Sequence, residues 1–184
     1  MSLKEWMIRR RLRRGSIVSA RIPALDHGRL ATCPGIPAEA RLQEGPVAVI
    51  ECAEEIPCNP CEMACARGAI RVGHPITNLP VLDTRLCIGC GDCVAACPGL
   101  AIFVVDASQD VRDVVTLPYE MLPIPCPNDV VALVDRRGDI VGSGRVTHAR
   151  SSSETDRTAV ITVTVPKGLG MLVRSIELPG QRHV

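Results

Sequence analysis

The chain has 184 residues, a formal net charge of +1 and 46% hydrophobic residues, but only one Trp, one Tyr and one Phe. This length allows one domain or two small ones, and no apolar run reaches the roughly 18 residues of a membrane-spanning helix. Ten cysteines with no secretory signal at the start of the sequence predict a cytoplasmic protein whose thiols bind metal.

The first 44 residues are predicted to form a basic arm followed by an extended segment. Residues 1–21 contain seven Lys or Arg and one Glu, so they carry a net charge of +6 and the remaining chain carries −5. A helix is expected as far as Arg14, and prolines and glycines between Arg21 and Gly45 predict irregular chain that lies across a neighbouring protein. Aromatic residues do not interleave with the basic ones, so no nucleic acid is expected. The arm is interpreted as either solvated or docked on a protein.

Residues 45–113 contain eight cysteines in two related motifs. The second motif reads C-x2-C-x2-C-x3-C-P from Cys87, and the first has the same cysteine spacing except for a wider opening gap. A shift of 32 residues places Cys58 on Cys90 and Cys65 on Cys97, which indicates a duplicated unit. This is the spacing of ferredoxins with two 4Fe–4S clusters, in which the fourth cysteine of one motif binds the other cluster.

The motifs therefore predict two ligand sets that exchange their fourth cysteine. The first cluster is assigned to Cys52, Cys58, Cys61 and Cys97. The second cluster is assigned to Cys65, Cys87, Cys90 and Cys93. Disulfides suit small secreted proteins, and zinc sites use two well-separated pairs of ligands, so both alternatives fit the crowded motif poorly.

The predicted fold class is α+β: a two-cluster ferredoxin domain with two short helices and two β-hairpins, an extended N-terminal arm, and a small antiparallel β module at the C-terminus. The expected pairings are Val47–Ile50 with 101–105, and 69–72 with Val81–Asp83. The short helices are expected at 61–67 and 93–97. Four glutamates are predicted to lower the potential of the first cluster: Glu51, Glu54, Glu55 and Glu62. His74 is interpreted as a turn residue.

Residues 114–184 are predicted to be a proline-rich linker, Val114–Asn128, followed by the β module. Alternating residues such as those in Ala159–Val165 predict strands with one buried face. The glycine pairs in this region match no phosphate-binding fingerprint, so the module is interpreted as a docking or capping element without catalytic residues. Cys33 and Cys126 have no clustered partners and are interpreted as structural or free thiols.

The cluster core resembles the bacterial two-cluster ferredoxins, and a narrower resemblance covers most of the chain. The segments 45–52, 56–62 and 156–167 are similar to the small 4Fe–4S subunits that accompany FAD-dependent amino-acid and amine dehydrogenases. This resemblance implies a hetero-oligomer with flavin-containing dehydrogenase subunits, and possibly a 2Fe–2S-bearing subunit. Those subunits would hold the FAD and oxidise a C–N bond of proline, hydroxyproline, sarcosine or an opine.

The sequence thus predicts a non-catalytic electron-transfer subunit that relays electrons from a partner flavoprotein. One alternative is a free-standing ferredoxin, or a subunit of another redox enzyme such as a hydrogenase or a 2-oxoacid oxidoreductase. A second alternative is a structural or regulatory iron–sulfur protein whose clusters only maintain its shape. Co-purification with a flavoprotein, or redox-silent clusters, would separate these hypotheses.

Overall fold

The computed structural model describes residues 27–151 and 158–179, which form a mainly β structure with four short helices. The helices are α1 His27–Ala31, α2 Glu39–Leu42, α3 Pro60–Ala64 and α4 Asp92–Ala96. The strands are β1 Val47–Ile50, β2 Ile70–Arg71, β3 Val81–Leu82, β4 Ile102–Asp106, β5 Arg112–Tyr119, β6 Val130–Asp135, β7 Ile140–Arg150, β8 Ala159–Pro166 and β9 Val173–Glu177. No helix in the described ranges is long and apolar enough to cross a bilayer.

Seven strands form one antiparallel sheet in the order β1-β4-β5-β8-β7-β6-β9, and β2 pairs with β3 separately. Strand β9 contacts β5 although three strands lie between them in the sheet order, so the sheet curls on itself. Its concave face encloses a core of aliphatic side chains that includes Leu117, Leu133, Ile161 and Ile176. A second core, between β1, β4 and the helices α3 and α4, surrounds most of the cysteine motifs.

The two predicted strand pairings are present in this fold. Val47 lies opposite Val105 in the first, and Ile70 lies opposite Leu82 in the second. The two helices of the cysteine motifs are shorter than predicted, because Cys65 and Cys97 adopt extended backbone angles immediately after α3 and α4. The predicted α+β class therefore becomes a mainly β architecture, in which each helix has only four or five residues.

The predicted linker after residue 113 is wrong over its first six residues. Strand β5 pairs with β4 on one side and with β8 on the other, so the predicted boundary between 113 and 114 lies inside a strand of the common sheet. Its side chains alternate between buried and more exposed, as in a strand with one buried face. Pro118 favoured the linker prediction, but a proline is tolerated at this position. It lies beyond Thr116, the last residue of β5 that pairs with β4, so β4 requires no backbone N–H donor there.

The segment before β1 is also more ordered than predicted, because it packs on its own chain. It contains α1 and α2, and its residues Leu30 and Leu42 are buried. The backbone N–H of Ile50 donates to the carbonyl of Gly35 at 3.0 Å, so the segment covers the outer edge of β1. The predicted N-terminal helix and basic arm lie outside the described residues, as does most of the predicted loop at 151–156.

Gly35→Ala is expected to lower the free energy of unfolding by about 1–3 kcal/mol, as overpacked substitutions do. A Cβ atom at this position would lie 2.5 Å from Cβ of Ile50, so the segment must move away from β1. Anaerobic urea denaturation measures the effect. Gly99→Ala is the matched control, since a Cβ there meets no atom within 4 Å. Equal stability of the two variants would contradict the close approach of Gly35 to Ile50.

Candidate metal centre

Two cavities lie next to β1 and β4, and each is lined by four cysteines. The first cavity is lined by Cys52, Cys58, Cys61 and Cys97. The second cavity is lined by Cys65, Cys87, Cys90 and Cys93. In each cavity one cysteine comes from the other motif, so the structure brings together the two sets that the motif spacing predicts. The assignment of these cysteines as cluster ligands itself stays a prediction.

The fold delivers the cysteines from short loops that enter and leave the two small helices. Pro60 begins α3 at a position that favours proline, and Cys61 follows it facing the first cavity. Gly91 precedes α4 with a φ of +82°, a conformation that glycine adopts without strain, and Cys93 follows on the helix. Gly89 also has a positive φ, and a Cβ on it would lie 2.6 Å from Pro46, so the second loop can pack closely against the start of β1.

Burial and repulsion from neighbouring cysteines raise the pKa of two of these thiols, Cys61 and Cys93, and make them difficult to ionise. Burial, together with Cys97, Cys58 and Cys52, raises the pKa of Cys61 to about 11. Burial, together with Cys87, Cys90 and Cys65, raises the pKa of Cys93 to about 12. Since thiolates are the ligands of iron, metal binding at both sites must release protons.

The donor sets fit two iron–sulfur clusters. Apart from Arg67 in the second cavity and Glu54 and Asn78 in the first, the residues that line the cavities are apolar or cysteine. Thiolates are the ligands that such clusters take. The described part of the chain has no three potential ligands that converge closely enough for a single metal ion. Each set of four cysteines instead lines a cavity.

Backbone N–H groups point at several of these sulfurs, as they do in cluster sites where such bonds tune the potential. Ala69 N lies 3.3 Å from Sγ of Cys65, and its counterpart in the repeat, Ala101 N, lies 3.4 Å from Sγ of Cys97. The second site has a further contact of this kind, between Ala48 N and Sγ of Cys87 at 3.4 Å. The duplication seen in the sequence is therefore also present in the hydrogen bonding around the cavities.

Glu51, one of the four glutamates predicted to lower the potential of the first cluster, is paired with two arginines. Glu51 is buried and accepts hydrogen bonds from Nε of Arg136 and Nε of Arg174, each at 2.8 Å. Burial alone would raise the pKa of Glu51, but the two guanidinium groups outweigh it and hold the pKa below its usual value. Its charge is therefore compensated locally, whereas Glu54 lines the first cavity and pairs with Arg29 in solvent.

The other candidate residues lie away from both cavities. His74 is exposed in a bend and lines neither cavity, as expected of a turn residue. Cys33 is buried and its Sγ contacts the carbonyl of Arg29 at 3.4 Å. Cys126 is exposed, and its backbone N–H donates to Asp129. No local sequence pattern pointed to Arg136 or Arg174, since neither lies in or beside a cysteine motif.

Comparisons with known proteins support the iron–sulfur character of the site. Residues 80–103 match the 4Fe-4S binding domain family. Over 98 residues the chain is 32% identical to Protein Pixie of Drosophila melanogaster and to Translation initiation factor rli1 of Schizosaccharomyces pombe, and 29% identical to Translation initiation factor RLI1 of Chaetomium thermophilum. These alignments cover 44% of this chain but only 16% of each relative. No solved structure gives a significant match.

The matched family segment contains Cys87, Cys90, Cys93 and Cys97, so it includes cysteines from both cavities. The chain is thus an iron–sulfur protein with a 4Fe-4S binding domain of the electron-transfer type.

Proposed function

We propose that this chain is an electron-transfer subunit that holds two 4Fe–4S clusters. The observation that carries the proposal is the pair of four-cysteine cavities, which share one structural core and exchange one cysteine each. A duplicated cluster site is typical of proteins that transfer electrons. Cys52, Cys58, Cys61 and Cys97 would hold one cluster. Cys65, Cys87, Cys90 and Cys93 would hold the other.

The chain's own residues would position the clusters, shield them and keep them accessible to a partner. When bound, cubane clusters supply one-electron oxidation and reduction. Buried aliphatic residues such as Ile50, Ile70 and Ile102 line the cavities and limit the access of water to them. Ile56 and Ile88 line the two cavities while more than half exposed, at 54% and 55%, so each site presents an apolar surface for contact.

We propose a flavin-containing dehydrogenase as the electron donor, in a hetero-oligomer located in the cytoplasm. The resemblance of the chain to the 4Fe–4S subunits of FAD-dependent amino-acid and amine dehydrogenases supports this partner. A reduced flavin holds two electrons, and a subunit with two one-electron sites is suited to accept them. FAD and substrate would then be bound by the partner, with this chain contributing the clusters and the contact surface.

Anaerobic purification of the tagged chain from its native host tests this function. Recovery at fixed stoichiometry with larger subunits, and a flavin spectrum bleached by proline, hydroxyproline or sarcosine, is the expected result. Recovery of an active monomer that carries both clusters would instead support a free-standing ferredoxin. Fixed stoichiometry with non-flavin redox subunits would place the chain in another enzyme class.

A structural or regulatory role of the clusters is the second candidate, and the names of two relatives suggest it. Two of the matched relatives are named translation initiation factors. The clusters of a structural module would remain redox-silent with partner proteins, and their removal would unfold the chain. Reduction of the clusters by a partner flavoprotein in the purified complex would exclude this candidate.

A further inference from the structure

Arg41 joins three parts of the chain around the second cavity. It lies in α2, outside the cysteine motifs, and its guanidinium donates to four backbone carbonyls. The acceptors are the carbonyl oxygens of Thr84 at 3.1 Å, Gly45 at 3.1 Å, Pro46 at 3.5 Å and Cys87 at 3.1 Å. The planar fork of arginine can hold several acceptors in fixed directions, and lysine cannot. Arg41 therefore fixes the start of the cysteine loop relative to β1.

Arg150 contacts the same loop, and it comes from a strand that follows the cysteine motifs in the sequence. It lies at the end of β7, and its Nη2 donates to the carbonyl of Cys90 at 3.2 Å. The same guanidinium contacts Oδ1 of Asp92 at 3.2 Å, so it also holds the first turn of α4. Two arginines thus hold the carbonyls of two cysteines that line the second cavity. One comes from the segment before the ferredoxin motifs and the other from the β strands after them.

We propose that Arg41 and Arg150 are positioning residues for the second cluster, and that their positive charges raise its reduction potential. This inference rests on the proposed function, because it assumes a cluster held by Cys65, Cys87, Cys90 and Cys93. Reduction adds negative charge to a cluster, and a nearby guanidinium stabilises the reduced form. The α2 segment and the β strands thereby act on the redox properties of the site besides offering contact surface.

The two arginines differ in how strongly their charge is expected to affect the reduction potential of the second cluster. Arg41 is mostly buried, with 18% of its side chain exposed, so solvent and salt screen its charge only weakly. Its one acidic neighbour among the described ion pairs is Glu44, whose carboxylate lies 3.8 Å from Nε of Arg41 and is 70% exposed. Arg150 is 54% exposed, and Asp92 offsets its charge. Removing Arg150 leaves the carboxylate of Asp92 unopposed beside Cys90. Both changes are therefore expected to lower the potential of the second cluster.

An EPR-monitored redox titration of the full chain, purified anaerobically, tests the inference with an internal control. Arg41→Gln and Arg150→Gln should each shift the midpoint potential of the second cluster downward and leave that of the first cluster unchanged. Cys65→Ser and Cys97→Ser variants assign the two signals. Arg145→Gln is the control on the same strand, because Arg145 donates to the carbonyl of Asn128, away from both cavities, and no shift is expected.

Two further variants separate charge from position. Arg41→Lys keeps the charge but cannot hold four carbonyls, so the potential should stay near the native value while a chelator removes the second cluster faster. Adding Asp92→Asn to Arg150→Gln restores the local charge balance, so the potential should return toward the native value.

Potentials that remain at the native value in both glutamine variants, or that shift equally for the two clusters, would overturn the inference. A native chain without a second cluster would contradict the proposed function itself.

Discussion

Cys97→Ser is expected to remove one of two clusters, so that the iron content falls from about eight to about four atoms per chain. Cys97 follows α4 in the second motif but lines the first cavity with Cys52, Cys58 and Cys61. Three thiolates and a serine hold a cubane cluster poorly, whereas the second cavity keeps its four cysteines. Iron and sulfide analysis with EPR spectra of the reduced variant measures the loss.

The matched variant is Cys65→Ser, which should remove the other cluster and leave the signal that Cys97→Ser abolishes. Cys52→Ser should reproduce the Cys97→Ser spectrum, since the two cysteines line the same cavity. Cys33→Ser and Cys126→Ser are the controls and should retain about eight iron atoms, because neither thiol lines either of the two four-cysteine cavities. Loss of the same EPR signal in the Cys65 and Cys97 variants would contradict the exchanged ligand sets.

Glu51→Gln is expected to lower the free energy of unfolding by about 3–5 kcal/mol, the usual effect of removing one partner from a buried ion pair. Glu51 lies between the last residue of β1 and Cys52. Arg136 and Arg174 donate to it from the opposite end of the curled sheet. Arg174 is only 5% exposed and also lies over the ring of Phe103, 4.7 Å from its centroid. The substitution leaves the buried guanidinium of Arg174 and the partly buried guanidinium of Arg136 without this counter-charge. Anaerobic urea denaturation reports the loss.

Glu54→Gln is the matched control, because Glu54 is in the same loop but its ion pair with Arg29 is exposed. Exposed pairs contribute at most about 1 kcal/mol. The pKa of Glu51 is lowered by folding, so its stabilisation is fully present above the usual value of 4.5 and is lost only as the pH falls through the lower folded pKa. The stability difference between the native chain and Glu51→Gln should stay constant between about pH 8 and 5. A decrease within that window would contradict the low pKa of Glu51.

The part of the fold that the sequence could predict is the part governed by local spacing. Three cysteines separated by two residues require a tight loop, and the 32-residue repeat specified which cysteines correspond. Short β-branched runs on either side of the motifs predicted the pairing of β1 with β4. These features depend on neighbours in sequence or on an internal duplication, so one chain was sufficient to recognise them.

The remaining features depend on contacts between residues far apart in sequence. Four prolines among residues 118–127 predicted a linker, yet β4 and β8 supply partners that turn its first part into the strand β5. Arg41 and Arg150 are ordinary charged residues in their local segments. Their roles follow from the positions of the carbonyls of Cys87 and Cys90, which local patterns do not specify.

The iron and acid-labile sulfide content of the anaerobically purified native chain, measured together with its EPR spectrum, tests the central claim most directly. Two clusters predict about eight atoms of each per chain and two EPR signals that interact after reduction. About four atoms of each with a single EPR signal, or stoichiometric zinc with no sulfide, would contradict the assignment of both four-cysteine cavities to 4Fe–4S clusters.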